Sequence, residues 1–204
     1  MRRGLTLVEV LVFSALSLLL IGLIVRLLLP SLRASSRATT QVELQQMATH
    51  AILSLSRDLA RCNGSSISVL DSTEPGGLAY VRSAGVSSSG RRVWEELATF
   101  VIRLPEERRL IRQSYPPSPP ELGVTFLPSL APSFNLSNLA AVASQPNSTR
   151  RNLASEVEEF EVSHLGSGID QFTPPLRIRL KLQKQVASNQ VESFEMVREY
   201  ALRN

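Results

Sequence analysis

A chain of 204 residues, 43% hydrophobic and 20% charged, is long enough for one compact domain plus a specialised terminus. Its net charge is only +4, and its basic residues, all arginine except Lys181 and Lys184, are scattered among carboxylates rather than gathered into a stripe with interleaved aromatics, which argues against a nucleic-acid partner. Cys62 is the single cysteine, so no internal disulfide staples the fold. It is expected to pack as a small apolar side chain at the end of a helix, with an intermolecular bridge as the alternative.

The first element is an apolar run behind a short basic leader, Met1-Arg2-Arg3-Gly4. From Leu5 to Val25 is about 21 residues, roughly 31 Å as a helix, enough to cross a bilayer core of ~30 Å. The leading arginines favour a cytoplasmic N-terminus, although Arg26, Arg33 and Arg37 at the far end weaken the contrast. The run is too long for a secretory signal peptide, and Val25–Pro30 offers no small-x-small cleavage site. Glu9 is the exception inside it. A carboxylate in a spanning segment costs about 2.5–3.5 kcal/mol, so it calls for a partner or a function, or for a place near the interface where it can snorkel.

Gly4-Leu5-Thr6-Leu7-Val8-Glu9-Val10-Leu11-Val12 resembles the class III signal of type IV prepilins and pseudopilins. Leu5 stands where that family usually has Phe, and the helix-loosening proline of many major pilins is replaced by Gly22 in the span and Pro30 just beyond it. Many exported pilins also close a C-terminal loop with a disulfide, which a lone Cys62 does not allow. The resemblance implies that a prepilin peptidase cuts between Gly4 and Leu5, that Leu5 becomes a methylated N-terminus, and that Glu9 contacts the terminal amine of a neighbouring subunit. Opposite charges in a low-dielectric bundle attract strongly and set register, whereas a solitary one is penalised.

Beyond the span, residues 30–63 keep a helical period. Leu44, Ala48, Ala51, Leu55, Leu59 and Cys62 form one apolar stripe at three- and four-residue steps. Arg57 and Arg61 suit a helix C-terminus, Asn63-Gly64 reads as its cap, and Pro30 is expected to kink the helix or start a new one. Residues 64–204 read as a β-rich domain. Ser66–Leu70, Leu78–Arg82, Leu97–Leu104, Arg108–Ser114, Val157–Leu165, a strand through Leu176–Leu182, and Ser193–Leu202 are the predicted strands. Pro105-Glu106-Glu107 and Ser188-Asn189-Gln190 read as turns, and residues 115–149 as a long Pro/Ser-rich surface loop. The fold class is therefore α+β, a long N-terminal helix whose outer half packs on an antiparallel sheet.

Arg57-Asp58-Leu59, the run Pro174-Pro175-Leu176-Arg177-Ile178-Arg179-Leu180 and the ending Tyr200-Ala201-Leu202-Arg203-Asn204 resemble J-type minor pseudopilins of type II secretion. The resemblance implies a structural subunit that initiates or caps a pseudopilus or a type IV pilus-like fibre. Its partners would be the prepilin peptidase, other pilin or pseudopilin subunits, an inner-membrane assembly platform and the lipid bilayer. Its place would be the bacterial inner membrane, single-pass, with the C-terminal domain periplasmic or extracytoplasmic, and later the fibre. A permanently anchored binding module or enzyme, with residues 5–29 as a tether, is the competing reading.

No catalytic, cofactor or metal residue is expected. His50 and His164 are the only histidines and lie far apart, and no serine has a Gly-x-Ser-x-Gly context. Glu156, Glu158, Glu159 and Glu161 lack the alternating oxygen ligands and turn glycine of a calcium loop, and read instead as an exposed strand face.

Overall fold

The computed structural model describes residues 7–69, 76–90, 92–115, 149–164, 175–186 and 190–202. Leu7–Leu59 form one 53-residue helix, α1, unbroken at Pro30. Proline removes a single i→i−4 bond, and good helix formers on both sides carry the helix through it. Among the described residues only the second half of α1 meets the rest of the protein. Its buried residues Thr40, Leu44, Ala48, Ala51, Ile52, Leu55, Asp58 and Leu59 recur at helical steps and include the predicted stripe.

The helix ends at Leu59, earlier than the Asn63-Gly64 cap predicted from sequence. The Arg61 and Cys62 N–H groups donate to the Asp58 and Leu59 carbonyls, both at 3.0 Å. These three-residue bonds tighten the last turn and satisfy carbonyls that a C-cap glycine would otherwise have handled. Asn63 instead precedes a short 3₁₀ turn, Gly64–Ser66, where buried Ser66 Oγ accepts from the Asn63 N–H at 3.1 Å.

Among the described residues eight strands follow: β1 (Ile67–Val69), β2 (Gly77–Val86), β3 (Arg92–Leu104), β4 (Arg109–Tyr115), β5 (Thr149–Ser155), β6 (Val157–His164), β7 (Leu176–Val186) and β8 (Gln190–Tyr200). All pairings are antiparallel, but the strands divide between two sheets rather than one, in the orders β1-β2-β3-β4-β5 and β6-β7-β8. β2 and β3 run longer than their predicted cores, and β5 begins where the Pro/Ser-rich loop was expected to end. Residues 116–148 of that loop, with most of the Ser188–Gln190 turn, lie outside the described residues.

α1 lies on both sheets, and one core joins them. Leu44, Ala48, Leu55 and Leu59 pack with Leu78, Tyr80, Val101 and Leu110 of the first sheet and with Phe160, Leu176, Ile178, Leu180 and Leu182 of the second. The alternation in β7 fixes its face, since Leu176, Ile178, Leu180 and Leu182 are buried while Arg177 is exposed. The sheets meet at a corner built from two non-glycine residues in the left-handed region. Arg108 (φ 50°) ends the β3–β4 turn, and Glu156 (φ 60°) turns the chain from β5 into β6. That conformation is costly for residues with a Cβ, and the corner offsets the cost with bonds. The Val157 N–H donates to the Arg108 carbonyl and the Gln183 N–H to the Glu156 carbonyl, each at 2.8 Å. The Arg108 guanidinium reaches Glu156 at 3.5 Å and Glu158 at 3.7 Å, and donates to the Gln183 carbonyl. Nearby, Gly76 passes so close to β6 that a Cβ would overlap the Phe160 carbonyl.

Candidate functional site

Two regions of α1 carry the functional reading. The first is its N-terminal half. From Leu7 to Leu32 the side chains are exposed almost throughout, including Phe13 at 74% and Leu19 at 68%. None of its most apolar stretch is buried, so by length and composition α1 is a candidate membrane span. A helix apolar on every side needs an apolar solvent or partner helices around it. Ser14 does not oppose this, because its Oγ donates to the Leu11 carbonyl at 2.9 Å within the same helix. Glu9 lies in the first turn, exposed, at the end of the helix farthest from the β domain. Gly4 and Leu5, the predicted cleavage and methylation positions, lie outside the described residues.

The second region locks the other end of α1 to the sheets. Asp58 sits on the buried side of the last helical turn, 7% exposed. Its carboxylate accepts from Tyr80 Oη at 2.6 Å and Arg82 Nη1 at 2.9 Å, and lies 3.0 Å from Arg112 Nη2. Arg82 turns its other edge to Glu95 at 2.6 Å. One carboxylate thus draws β2 and β4 onto the helix terminus with charge-assisted bonds. Burial, followed by the Asp58 charge, holds the Tyr80 phenol well above its ordinary range. Burial also pushes the Cys62 thiol up to about 12, so at neutral pH it is a packed thiol and not a nucleophile. Cys62 is buried as expected, and its Sγ donates to the Asp58 carbonyl at 3.3 Å.

Further contacts run down the helix toward the span. Ser56 Oγ and Tyr200 Oη are 2.8 Å apart, Lys184 Nζ reaches Glu43 at 2.8 Å, and Arg37 meets Glu192 at 3.9 Å. β8 therefore runs alongside α1, from Arg37 near one end of the strand to Ser56 near the other.

The remaining sequence candidates stay apart. His50 is exposed on the helix, and His164 is half-buried at the end of β6. Among the described residues no three His, Cys, Asp or Glu side chains come together in a metal-holding group. The acidic run lies along β6 and is met by cations. Arg179 lies 3.6 Å from Glu159, 3.3 Å from Glu161 and 2.7 Å from Glu195, and Lys181 lies 3.3 Å from Glu159.

Sequence reading had Asp58 only as part of a resemblance and did not identify Tyr80, Arg82, Glu95 or Arg112 as its partners. The signal available was its phase. Residue 58 falls between Leu55 and Leu59 on the apolar stripe, where a carboxylate requires cationic company.

A long apolar N-terminal helix laid on an antiparallel β domain is a pilin-like architecture. No protein-family model, no curated protein and no solved structure matches this chain.

Proposed function

We propose that this chain is a minor pilin or pseudopilin, a structural subunit that initiates or caps a type II secretion pseudopilus or a type IV pilus-like fibre. One observation carries the reading: a single helix has one half buried on two sheets and the other exposed and apolar on every side. Such a helix exchanges lipid for partner helices without refolding, because its backbone bonds are satisfied within the helix. The order Gly4, Leu5, Glu9 supports the assembly role over a plain anchor. In this reading the leader is cut after Gly4, Leu5 is methylated, and Glu9 meets the terminal amine of a neighbour. The subunit waits in the bacterial inner membrane with its β domain on the periplasmic side, and an inner-membrane platform moves it into the fibre. It catalyses no reaction.

The test is the intact mass of the full chain purified from cells with and without an active prepilin peptidase. Loss of Met1–Gly4 and gain of one methyl group only when the peptidase is present is the expected result. A chain that keeps Met1–Gly4 beside an active peptidase is a permanently anchored module instead. Glu9→Val is expected to insert and be cleaved normally but to enter the fibre poorly. Normal incorporation would reduce Glu9 to an interfacial carboxylate.

A further inference from the structure

Between the apolar run and the first buried residue, three arginines share one side of α1. Arg26, Arg33 and Arg37 are spaced by seven and then four residues, which at about 100° per residue brings them within about 40° of one another. It is the same side on which Leu44 and Leu55 enter the core, so the stripe faces the space beneath the β domain. All three are exposed. Arg37 is engaged by Glu192 and Gln190 at the start of β8. Among the described residues no carboxylate lies within ion-pair distance of Arg26 or Arg33.

Their depth gives these two arginines a common target. If residues 5–29 cross the hydrocarbon, Arg26 lies about 5 Å inside the far boundary and Arg33 about 6 Å beyond it. Side chains on a helix slant toward its N-terminus, here toward the bilayer, so Arg33 leans back onto the headgroup layer. Arg26 has a stem long enough to snorkel out to the same layer. Two guanidiniums then converge on one ring of phosphates, in the wedge between the bilayer and the base of the domain. The planar fork of arginine matches phosphate oxygens two at a time.

We propose that Arg26 and Arg33 form a binding site for the headgroup of an anionic phospholipid in the far leaflet, a site that holds the unassembled subunit at a fixed depth. The proposal rests on the membrane-spanning part of the reading above and not on the fibre.

The experiment places the full chain in nanodiscs of phosphatidylcholine with a minor share of phosphatidylglycerol. Native mass spectrometry then counts the lipids that stay bound. The wild-type chain is expected to retain phosphatidylglycerol preferentially, and Arg26→Gln/Arg33→Gln to lower that preference at least about fivefold. Arg57→Gln/Arg61→Gln removes two exposed arginines, one in the last turn of the helix and one just past it, and is expected to change nothing. An unchanged preference in the first variant, or an equal loss in the second, overturns the site. Displacement of the lipid by millimolar inorganic phosphate also overturns it, by showing a site for free anions. Alkaline carbonate extraction of the same chain from membranes distinguishes a deeper failure, since a chain that washes out does not span the bilayer and both readings fall.

Discussion

The two halves of α1 belong to one continuous helix and are stabilised in opposite ways. In residues 40–59 most apolar side chains occupy one side, and polar or charged ones such as Glu43, Gln45 and Arg57 occupy the other beside Val42 and Leu53. That half needs the sheets, and its stripe finds Leu78, Phe160 and Leu180. In residues 10–25 there is no polar side to speak of, and the described residues of the β domain cover none of its most apolar stretch. The difference lies in how many positions are apolar and in where they fall. A one-sided pattern specifies a protein partner, and an all-round pattern specifies a lipid or a bundle.

The sharpest way to break the docked half is to remove its buried charge. Asp58→Ala leaves the Arg112 guanidinium, 16% exposed with its Nε already lacking a partner among the described residues, without its anion. Breaking a buried pair by deleting one partner costs about 3–5 kcal/mol. A denaturant titration of the full chain in detergent micelles, followed by tryptophan emission, is expected to show a loss of that order. Asp58→Asn keeps the shape and some hydrogen bonds and is expected to lose less. A loss below about 1 kcal/mol for Asp58→Ala would mean that the clasp is ornamental and the apolar stripe alone docks the helix.

The exposed half is tested by the same kind of substitution at two positions. Leu19→Arg puts a charge at the middle of the proposed span, where insertion scales assign a penalty of about 2.5–3.5 kcal/mol. Leu53→Arg puts one on the outward side of the docked half, where Leu53 is 50% exposed and the expected effect on stability is within about 0.5 kcal/mol. Carbonate-resistant membrane retention is expected to fall for the first variant and stay level for the second. Equal retention would erase the distinction between the two halves.

What was legible in the sequence follows the same division. The all-round run and the one-sided stripe both announce their surroundings, and Leu44, Ala48, Ala51, Leu55, Leu59 and Cys62 are all buried as their spacing predicts. β7 was equally plain, because four leucine or isoleucine residues alternate with basic ones. Alternation tells which face of a strand is buried but not which sheet owns the strand, so the division into two sheets was hidden. β5 was missed because Thr149–Ser155 is an edge strand with arginines at 150 and 151 and only Ala154 buried, and a register shift opposite Leu110 breaks its period. The corner at Arg108 and Glu156 has no local signal at all, since left-handed backbone normally announces itself through glycine or asparagine. The partners of Asp58 come from β2 and β4, at distances in sequence that no spacing rule reaches.

The smallest expected effect separates packing from chemistry at the junction of helix and sheets. Cys62 is expected to titrate near 9 when the chain is unfolded, and burial raises it to about 12 in the folded protein. The sign follows from which state holds the proton. Below pH 9 both states are protonated and the thiol contributes no pH dependence. Above it the unfolded chain loses the proton while the folded one keeps it, so stability falls as pH rises from about 9 toward about 12. The slope approaches about 1.4 kcal/mol per pH unit, and the loss by pH 10 is on the order of 1 kcal/mol. Cys62→Ala removes this group, and the decline in stability between pH 8 and pH 10 is expected to be shallower than in the wild type. Tyr80, also raised by burial, remains in both proteins and adds the same alkaline decline to each at higher pH. Parallel pH profiles for the two proteins would show that the thiol is reached by water when the helix is docked. The seal between the last turn of α1 and β2 would then be looser than the Tyr80–Asp58 bond of 2.6 Å requires.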